Sequence, residues 1–418
     1  MSILLLFTAS YPYDFAAEHT FLEREVHYLK NYFDQLIIIP KITKGKRFTI
    51  PSSIEVEIGF ADYFSKNANG ICIVLNAITS EHFYREICGQ FSLFFQPIKF
   101  VRLLLFSGRA ELIRKWLMNW LKERREDVSQ IVFYSFWFDD ITMGLGLVKR
   151  EYPRIKLVSR AHGYDIYEEK YFPYYWPLRY EILSKLDKVF PASNDGRNYF
   201  RNRYPEFHDL FETAHLGTDE PGFVSKASTD SALRIVSCAH IFPLKRIDLL
   251  CQGIAFAARM RPKYKFEWHH FGDGKQRKLL EKMVAESFPS NAQGYLPGYV
   301  PNQEIMKHYR DNPVDVFVNL STTEGGAPVS IQEAISCGIP VIATNVGGNP
   351  EIVSERNGIL LNVDPTSKDV AQALLKIIDD SQSAQRMRQE SRRVWEESYN
   401  AEVNFRNFAK RLVAIRQS

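Results

Sequence analysis

The chain has 418 residues, more than a single hydrophobic core ordinarily supports, which predicts two domains of about 150 to 200 residues each. Hydrophobic residues make up 45% of the sequence and charged residues 24%, the balance of a soluble globular protein. The formal net charge of +4 is too small to indicate a nucleic-acid partner, and we expect none.

The N-terminus and the cysteines favour a cytoplasmic protein. The apolar stretch that starts the chain lacks a basic region before it and is too short for a signal peptide, and no apolar run approaches the roughly 18 residues that cross a bilayer. The cysteines are odd in number and lack a C-x-x-C spacing, which argues against a disulfide framework and a zinc site. They are Cys72, Cys88, Cys238, Cys251 and Cys337.

Apolar runs alternate with helical patterns along the first half of the sequence. After a strand at residues 4–7, Thr20-x-x-Glu23 predicts a capping box that opens a helix, since apolar residues then recur at helical spacing. Further buried strands are predicted at residues 36–40, 131–138, 155–159 and 188–192. Continuous apolar strands joined through helices indicate a parallel sheet that is covered on both faces.

The second half repeats this alternation after a linker at residues 218–231, which is rich in glycine, proline and small polar residues. We predict an α/β fold of two Rossmann-like, doubly wound parallel-sheet domains, at residues 1–218 and 219–399, with a C-terminal helix at 400–418 completing the first. Strands of the second domain are predicted at residues 233–238, 266–271, 314–320, 340–344 and 358–361. Such sheets bind ligands at the carboxyl ends of their strands, so we expect the two lobes to face a central cleft.

The most informative motif follows the predicted strand 314–320. A flexible turn there leads into a helix from about Pro328, and free N–H groups at a helix start favour a diphosphate. Glu333 would lie inside that helix, able to accept hydrogen bonds from a ribose. An ordinary strand, turn and helix with solvated carboxylates would give the same local pattern. The motif reads Glu324-Gly325-Gly326-Ala327-Pro328, then Glu333-Ala-Ile-Ser-Cys-Gly-Ile-Pro340.

This motif resembles the signature of retaining glycosyltransferases of the family-4 type, which have the GT-B fold; members that build bacterial surface polysaccharides also resemble the chain near its N-terminus, at residues 11–13 and 18–22. The resemblance implies that Glu324 contacts the transferred sugar and Glu333 the nucleotide ribose. The usual motif has seven residues between the two glutamates, whereas this chain has eight, and the extra residue falls in the turn that orients Glu324.

A second match follows the first strand of the C-terminal half, in the run from His240 to Asp248. The family carries an Arg and a Lys there that neutralise the donor's diphosphate. The resemblance places Lys245 at the Lys position and His240 at the Arg position, with Arg246 as an adjacent cation. By spacing alone, two basic residues at the start of a helix are typical of a solvated face.

His162 follows a predicted strand of the first domain in the run Arg160-Ala-His162-Gly163-Tyr-Asp165. A hydrogen-bonded structural histidine would fit this pattern, and the family has a His-Gly here close to the transferred sugar. A weaker similarity, in a loop that would touch the base, is Gly298-Tyr299-Val300.

Residues 91–125 mix aromatic and basic side chains on predicted helices. Such a segment either lies at an anionic membrane surface or packs an apolar face on the core under a solvated basic face. A membrane contact would place the protein peripherally on the inner face of the cell membrane, next to a lipid-linked acceptor.

We therefore expect a retaining transfer of sugar from a nucleotide-diphosphate donor to a glycan or lipid-linked acceptor, with no cofactor and no essential metal. An epimerase of the same fold is one alternative, because it needs donor contacts without an acceptor site. A degenerate, non-catalytic subunit that binds nucleotide sugars is the other, since His240 replaces the usual Arg.

Overall fold

The computed structural model describes residues 1–16, 18–124 and 127–418. The chain divides into two compact units, one formed by Met1–Leu216 with Glu402–Ser418 and the other by Gly217–Ala401. Each unit contains one six-stranded sheet, with helices before and after its strands.

The first unit contains a fully parallel sheet in the order β3-β2-β1-β4-β5-β6. Its strands are β1 (Ile3–Thr8), β2 (Gln35–Pro40), β3 (Glu55–Val56), β4 (Ile131–Ser135), β5 (Lys156–Ala161) and β6 (Lys188–Pro191). This is the strand order of a Rossmann domain, in which the chain reverses its winding direction between β1 and β4.

The helices of the first unit cover both faces of this sheet. They are α1 (His19–Leu29), α2 (Gly59–Asn67), α3 (Gly70–Ile78), α4 (Glu81–Gly89), α5 (Pro97–Arg124), α6 (Asp140–Glu151), α7 (Arg179–Leu183), α8 (Asn194–Arg203) and the C-terminal α16 (Ala401–Gln417). Alternate residues of β1 enter two separate cores: Leu5 packs in the core that contains α5, and Leu6 in the core that contains α1 and Phe408 of α16. A strand buried on both faces must be apolar throughout, which is why β1 reads as a continuous run.

The second unit repeats the architecture with the order β12-β11-β10-β7-β8-β9, again fully parallel. Its strands are β7 (Ala232–Cys238), β8 (Lys265–Phe271), β9 (Ala292–Gly298), β10 (Val316–Asn319), β11 (Val341–Thr344) and β12 (Gly358–Leu361). Its helices are α9 (Ile247–Met260), α10 (Arg277–Ser287), α11 (Asn302–Asp311), α12 (Val329–Ser336), α13 (Asn349–Ile352), α14 (Ser367–Asp379) and α15 (Ser381–Ser398). The switch in winding direction falls between β7 and β10.

One local prediction at a helix start was wrong. Helix α1 begins at His19, so Thr20 lies inside the helix and is not its cap. Glu18 occupies the cap position, and its carboxylate instead accepts hydrogen bonds from the backbone N–H groups of Ala9, Ser10 and Tyr11. Helix α12 begins at Val329, one residue after the predicted start at about Pro328, and Pro328 stands in the N-cap position.

Within the described ranges 1–16, 18–124 and 127–418, no helix has both the length and the apolar character needed to cross a membrane.

Candidate active site

The loops that follow β7 and β10 meet at the switch point of the second unit. In open α/β sheets the chain leaves two neighbouring strands in opposite directions there, and the resulting crevice is the usual ligand site. The N–H of Thr322, after β10, donates to the carbonyl of Leu244, after β7, over 2.8 Å. This hydrogen bond ties together the two loops that carry the predicted site residues.

Lys245 and Glu324 form an ion pair at this crevice. Lys245 Nζ lies 2.6 Å from Glu324 Oε1, and the amide of Asn319 donates to the same oxygen over 3.3 Å. The side chains of Lys245 and Glu324 are 24% and 12% exposed, so both are held at the edge of solvent rather than in the core. The structure thus brings together the two residues that the sequence predicted for the diphosphate and the transferred sugar.

Arg246, the neighbouring cation, is engaged elsewhere. Its backbone adopts a left-handed conformation with φ of 47°, immediately before α9. Its guanidinium donates to the carbonyls of Leu320, Ser321 and Val363 and to the carboxylate of Asp364. To bind a diphosphate, this guanidinium would have to leave carbonyl groups that it satisfies in the fold.

The Gly325-Gly326-Ala327-Pro328 turn lies between Glu324 and α12. Its conformation is supported from β11, because the glycines after that strand approach the turn very closely: a Cβ built on Gly348 would lie 2.2 Å from the carbonyl carbon of Gly326. The amides of residues 329 and 330 precede the first intrahelical hydrogen bonds of α12, so this helix start is suited to an anion.

Glu333 lies in α12 and is buried. Its Oε1 accepts a hydrogen bond from Asn302 Nδ2 over 2.8 Å, which orients the carboxylate. Burial and the nearby charge of Glu333 together raise the pKa of the Cys238 thiol to about 12, so Glu333 lies near the end of β7. Glu333 and the Lys245–Glu324 pair therefore belong to the same edge of the sheet.

His240 and the Gly298-Tyr299-Val300 run occupy neighbouring loops of that edge. His240 is exposed and stacks on Phe242, with ring centroids 5.9 Å apart. Gly298 ends β9 with φ of 84°, and its carbonyl accepts from the N–H of Gly272, after β8, over 2.9 Å. Tyr299 is 79% exposed, which leaves its ring available to a ligand, whereas Val300 packs partly against the core.

His162 lies in the first unit, after β5. Its imidazole packs against Phe136 and Trp137, with ring centroids 4.4 and 4.6 Å away. Its backbone N–H donates to Asp165 Oδ1 over 2.7 Å, and Nδ1 lies 3.9 Å from Asp165 Oδ2. Burial raises the pKa of the Asp165 carboxyl, but hydrogen bonds from His162 and Phe138 lower it, and the net shift is downward.

The site residues of the second unit lie within a stretch of the chain that matches a known protein family. Residues 223–394, which contain Lys245, Glu324 and Glu333, match the family model for glycosyl transferases group 1. The second unit therefore carries a group 1 glycosyl transferase domain.

Relatives of this chain include the WcaL proteins of Salmonella typhimurium and Escherichia coli, which their names assign to colanic acid biosynthesis as glycosyltransferases. The Salmonella protein is 25% identical over 215 residues, covering 48% of this chain and 50% of its own length. The Escherichia coli protein is 23% identical over 280 residues, covering 63% and 65%. The matches thus span about half to two thirds of these relatives.

Solved structures extend the similarity beyond the group 1 domain. A lipopolysaccharide outer core galactosyltransferase, WaaB, aligns over 99% of both chains with a TM-score of 0.69 and 15% identity. HepE of Anabaena, solved in complex with UDP, aligns over 99% of this chain and all of its own with a TM-score of 0.64 and 15% identity. These alignments confirm the predicted fold class of two Rossmann-like domains.

Sequence reasoning missed two residues beside the glutamates of the group 1 domain. Asn319 ends β10 and donates to Glu324, and Asn302 begins α11 and donates to Glu333. Asn319 had a usable signal, because a polar residue at the end of an apolar strand points to the ligand edge of the sheet. Asn302 had none, since an Asn after a proline reads only as a helix start.

Proposed function

We propose that the chain is a retaining glycosyltransferase that moves a sugar from a nucleoside diphosphate donor to a glycan or lipid-linked acceptor in polysaccharide assembly. The observation that carries this proposal is the Lys245–Glu324 ion pair at the switch point, beside the start of α12 and Glu333. The colanic acid assignment of the WcaL relatives supports polysaccharide assembly, and the UDP in the HepE structure supports a uridine nucleotide.

Lys245 is the residue that we assign to the diphosphate. Negative charge grows on the departing diphosphate as the glycosidic bond breaks, and a cation fixed nearby stabilises that charge most in the transition state. Lys245 Nζ is already positioned by Glu324, with further donors in the amides of the turn near Gly325 and Gly326 and at the start of α12. We propose that these donors, with no cofactor and no essential metal, neutralise the leaving group.

The two glutamates bind hydroxyl groups in this proposal. Glu324 accepts from the transferred sugar, and Glu333, oriented by Asn302, accepts from the ribose. Tyr299 and Val300 lie beside the base. His240 and Arg246 contribute less to binding the phosphates than Lys245 does. His162, from the first unit, binds near the transferred sugar.

Retention follows if the acceptor hydroxyl approaches on the face that the diphosphate leaves. The hydroxyl then passes its proton to a diphosphate oxygen, and no side chain of the chain acts as a general base. Exclusion of water matters because water would otherwise hydrolyse the donor.

A donor screen tests the proposal. The full chain is heated with uridine, guanosine and adenosine diphosphate sugars in turn, and the correct donor should stabilise it by about 2.7 kcal/mol at a hundredfold excess over Kd. Transfer is then assayed by NMR with acceptor present. Inversion of configuration at the anomeric carbon would refute retention, epimerised donor without acceptor would establish the epimerase, and binding without turnover would establish the non-catalytic subunit.

We also propose that the protein meets an anionic membrane surface through part of residues 91–125. Support comes from the turn Phe91–Phe95, where Phe91, Phe94 and Phe95 are 65%, 53% and 78% exposed. The C-terminal part of the segment is different: Trp116 and Trp120 are buried in the core. Arg125, the last residue of the segment predicted to meet the membrane, lies outside the described residues. The proposed contact is therefore confined to the first turns of the segment.

A further inference from the structure

A cavity of about 440 Å³ opens in the first unit, at the carboxyl edge of its sheet. Lys41, directly after β2, and Asp139 and Asp140, at the start of α6, form its polar side. Helix α5 forms the opposite side, and its Arg109 reaches across to Asp140 on the polar side. None of the residues predicted to bind the donor lies in this cavity, because all of them belong to the second unit.

The polar side carries more positive than negative charge. Lys41 Nζ lies 2.7 Å from Asp140 Oδ1, and Arg109 Nη1 lies 3.8 Å from Asp140 Oδ2, so two cations share one carboxylate. Burial and the neighbouring Asp140 raise the pKa of Asp139 to about 8. Arg102 also lines the cavity, so three cations face two carboxyl groups there. An anion that reaches Lys41 and Arg109 would therefore meet unbalanced positive charge.

The α5 side of the cavity is apolar and partly open. Ile98 and Val101 line it and are 55% and 50% exposed, although both are large hydrophobic residues. Arg102, between them and Arg109 on the helix, lies with its guanidinium carbon 4.1 Å from the ring centroid of Trp176. Trp176, which is buried, and Tyr164, which is 36% exposed, complete the wall, with ring centroids 5.8 Å apart. Tyr164 is the aromatic surface here on which a sugar can stack.

We propose that this cavity is the acceptor site and that its ligand is a phosphorylated lipid carrying a sugar, with the phosphate on Lys41 and Arg109 and the aliphatic chain along Ile98 and Val101. This inference rests on the proposed transferase function and names its acceptor class. Inorganic phosphate would leave the exposed apolar residues without a role. A neutral glycan would leave the cations without one. An amphiphile with an anionic head uses both sides of the cavity.

Calorimetry with three small probes tests the inference on the full chain: octyl phosphate below its micelle concentration, inorganic phosphate, and octanol. Octyl phosphate should bind at least about tenfold more tightly than either partial probe, since burying an aliphatic chain and pairing a phosphate both contribute. Arg109→Gln should weaken octyl phosphate roughly tenfold by removing a charged partner. Val101→Ser should reduce the ratio of the affinity for octyl phosphate to the affinity for inorganic phosphate, because it removes apolar contact only.

Lys122→Gln is the matched control, because Lys122 is exposed on the same helix and loses the same charge 13 positions further along. It should leave octyl phosphate binding unchanged, and circular dichroism should show all variants folded. Equal binding of octyl and inorganic phosphate, or equal loss in Arg109→Gln and Lys122→Gln, overturns the inference. Donor binding is measured in parallel: if the wild type binds no nucleotide sugar, the proposed transferase function fails, whereas failure of octyl phosphate alone overturns only the acceptor site.

Discussion

The backbone of Gly347 lies against the backbone of Glu324. A Cβ built on Gly347 would come within 1.8 Å of the Glu324 carbonyl oxygen, and Gly347 has φ of 51°, a conformation that side chains disfavour. This contact fixes the residue that begins the Gly325-Gly326 turn, where the motif of this chain is one residue longer than usual. The position of Glu324 therefore depends on a glycine of the loop after β11 as well as on its own turn.

Replacing Gly347 with alanine should move Glu324. The new methyl group cannot fit without displacing backbone, so we expect a loss of about 1 to 3 kcal/mol of stability and a weaker response to donor. Gly222→Ala is the control, because Gly222 has φ of 75° but no atom within 4 Å of its Cβ position. The Gly222→Ala variant therefore has the cost of a side chain at positive φ without a steric clash. Equal urea denaturation midpoints and equal donor affinities for the two variants would contradict the contact.

Replacing Glu333 with glutamine should weaken the nucleotide donor while the fold stays intact. The amide keeps the shape of the side chain but loses charge-assisted hydrogen bonds to the ribose, a cost of roughly 1.5 to 3 kcal/mol. Isothermal titration calorimetry with the donor measures this loss directly. Glu304→Gln, an exposed carboxylate on α11, removes the same charge from the same unit and should change nothing. Unchanged affinity in a folded Glu333→Gln protein would remove Glu333 from the site.

Replacing Lys245 and replacing the adjacent Arg246 should have different effects. Lys245→Ala should lower kcat more than donor affinity, because the diphosphate gains charge in the transition state. Arg246→Ala should mainly lower the melting temperature, because its guanidinium satisfies three backbone carbonyls of the fold. His240→Arg, which restores the usual family residue, tests whether that Arg adds to turnover. A Lys245→Ala enzyme with unchanged kcat and donor affinity would refute the phosphate assignment.

Much of the fold could be predicted because its strands are buried on both faces. Strands such as β1 and β2 must be apolar at every position, so they stand out from the helices as short continuous runs. Strand β9 was missed because alternate residues along it are exposed, and its sequence Ala-Gln-Gly-Tyr-Leu-Pro-Gly has the glycines and proline of a loop. Strand β3 has only two residues and leaves no pattern.

The site was predicted less completely than the fold. The resemblance of the motifs to the family singled out Lys245, Glu324 and Glu333 as candidates, and the structure brings the first two into contact. The partner of Glu333 could not be predicted, because Asn302 reaches it from another helix 31 positions away. Glu18 shows the same limit: its carboxylate binds three backbone N–H groups after β1 and the Trp137 indole, contacts that depend on tertiary folding alone.

Acid should destabilise the second unit through buried histidines. Burial lowers the pKa of His270 to about 4, whereas the unfolded chain keeps an ordinary value near 6.5. The unfolded state therefore takes up the proton first as the pH falls, and stability decreases from about pH 6.5 to about pH 4, by roughly 3 kcal/mol for this group. In His270→Gln the urea denaturation midpoint should change less with pH over that interval than in the wild type. In His208→Gln, which alters an exposed histidine, it should change as much as in the wild type. Equal pH slopes in all three proteins would contradict this assignment.

Membrane binding should depend on phenylalanine more than on charge. Of the basic residues in 91–125, Arg114 is paired with Glu111 and Glu151, and Arg124 with Glu55, so reversing their charge would disturb the fold as well as any lipid contact. Replacing the exposed Phe91, Phe94 and Phe95 with serine avoids this problem. Loss of that apolar surface should reduce sedimentation with vesicles of acidic lipid by roughly tenfold or more.

The control for this experiment removes exposed apolar side chains from the second unit, by changing Met260, Leu279 and Val363 to serine. Those residues lie outside the proposed contact, so the control should sediment with vesicles as the wild type does. Added salt should release the wild type only in part, because screening weakens attraction to acidic lipid but not burial of apolar surface. Complete release of the wild type at moderate salt, or equal sedimentation of the phenylalanine variant and the wild type, would show that Phe91–Phe95 does not enter the membrane.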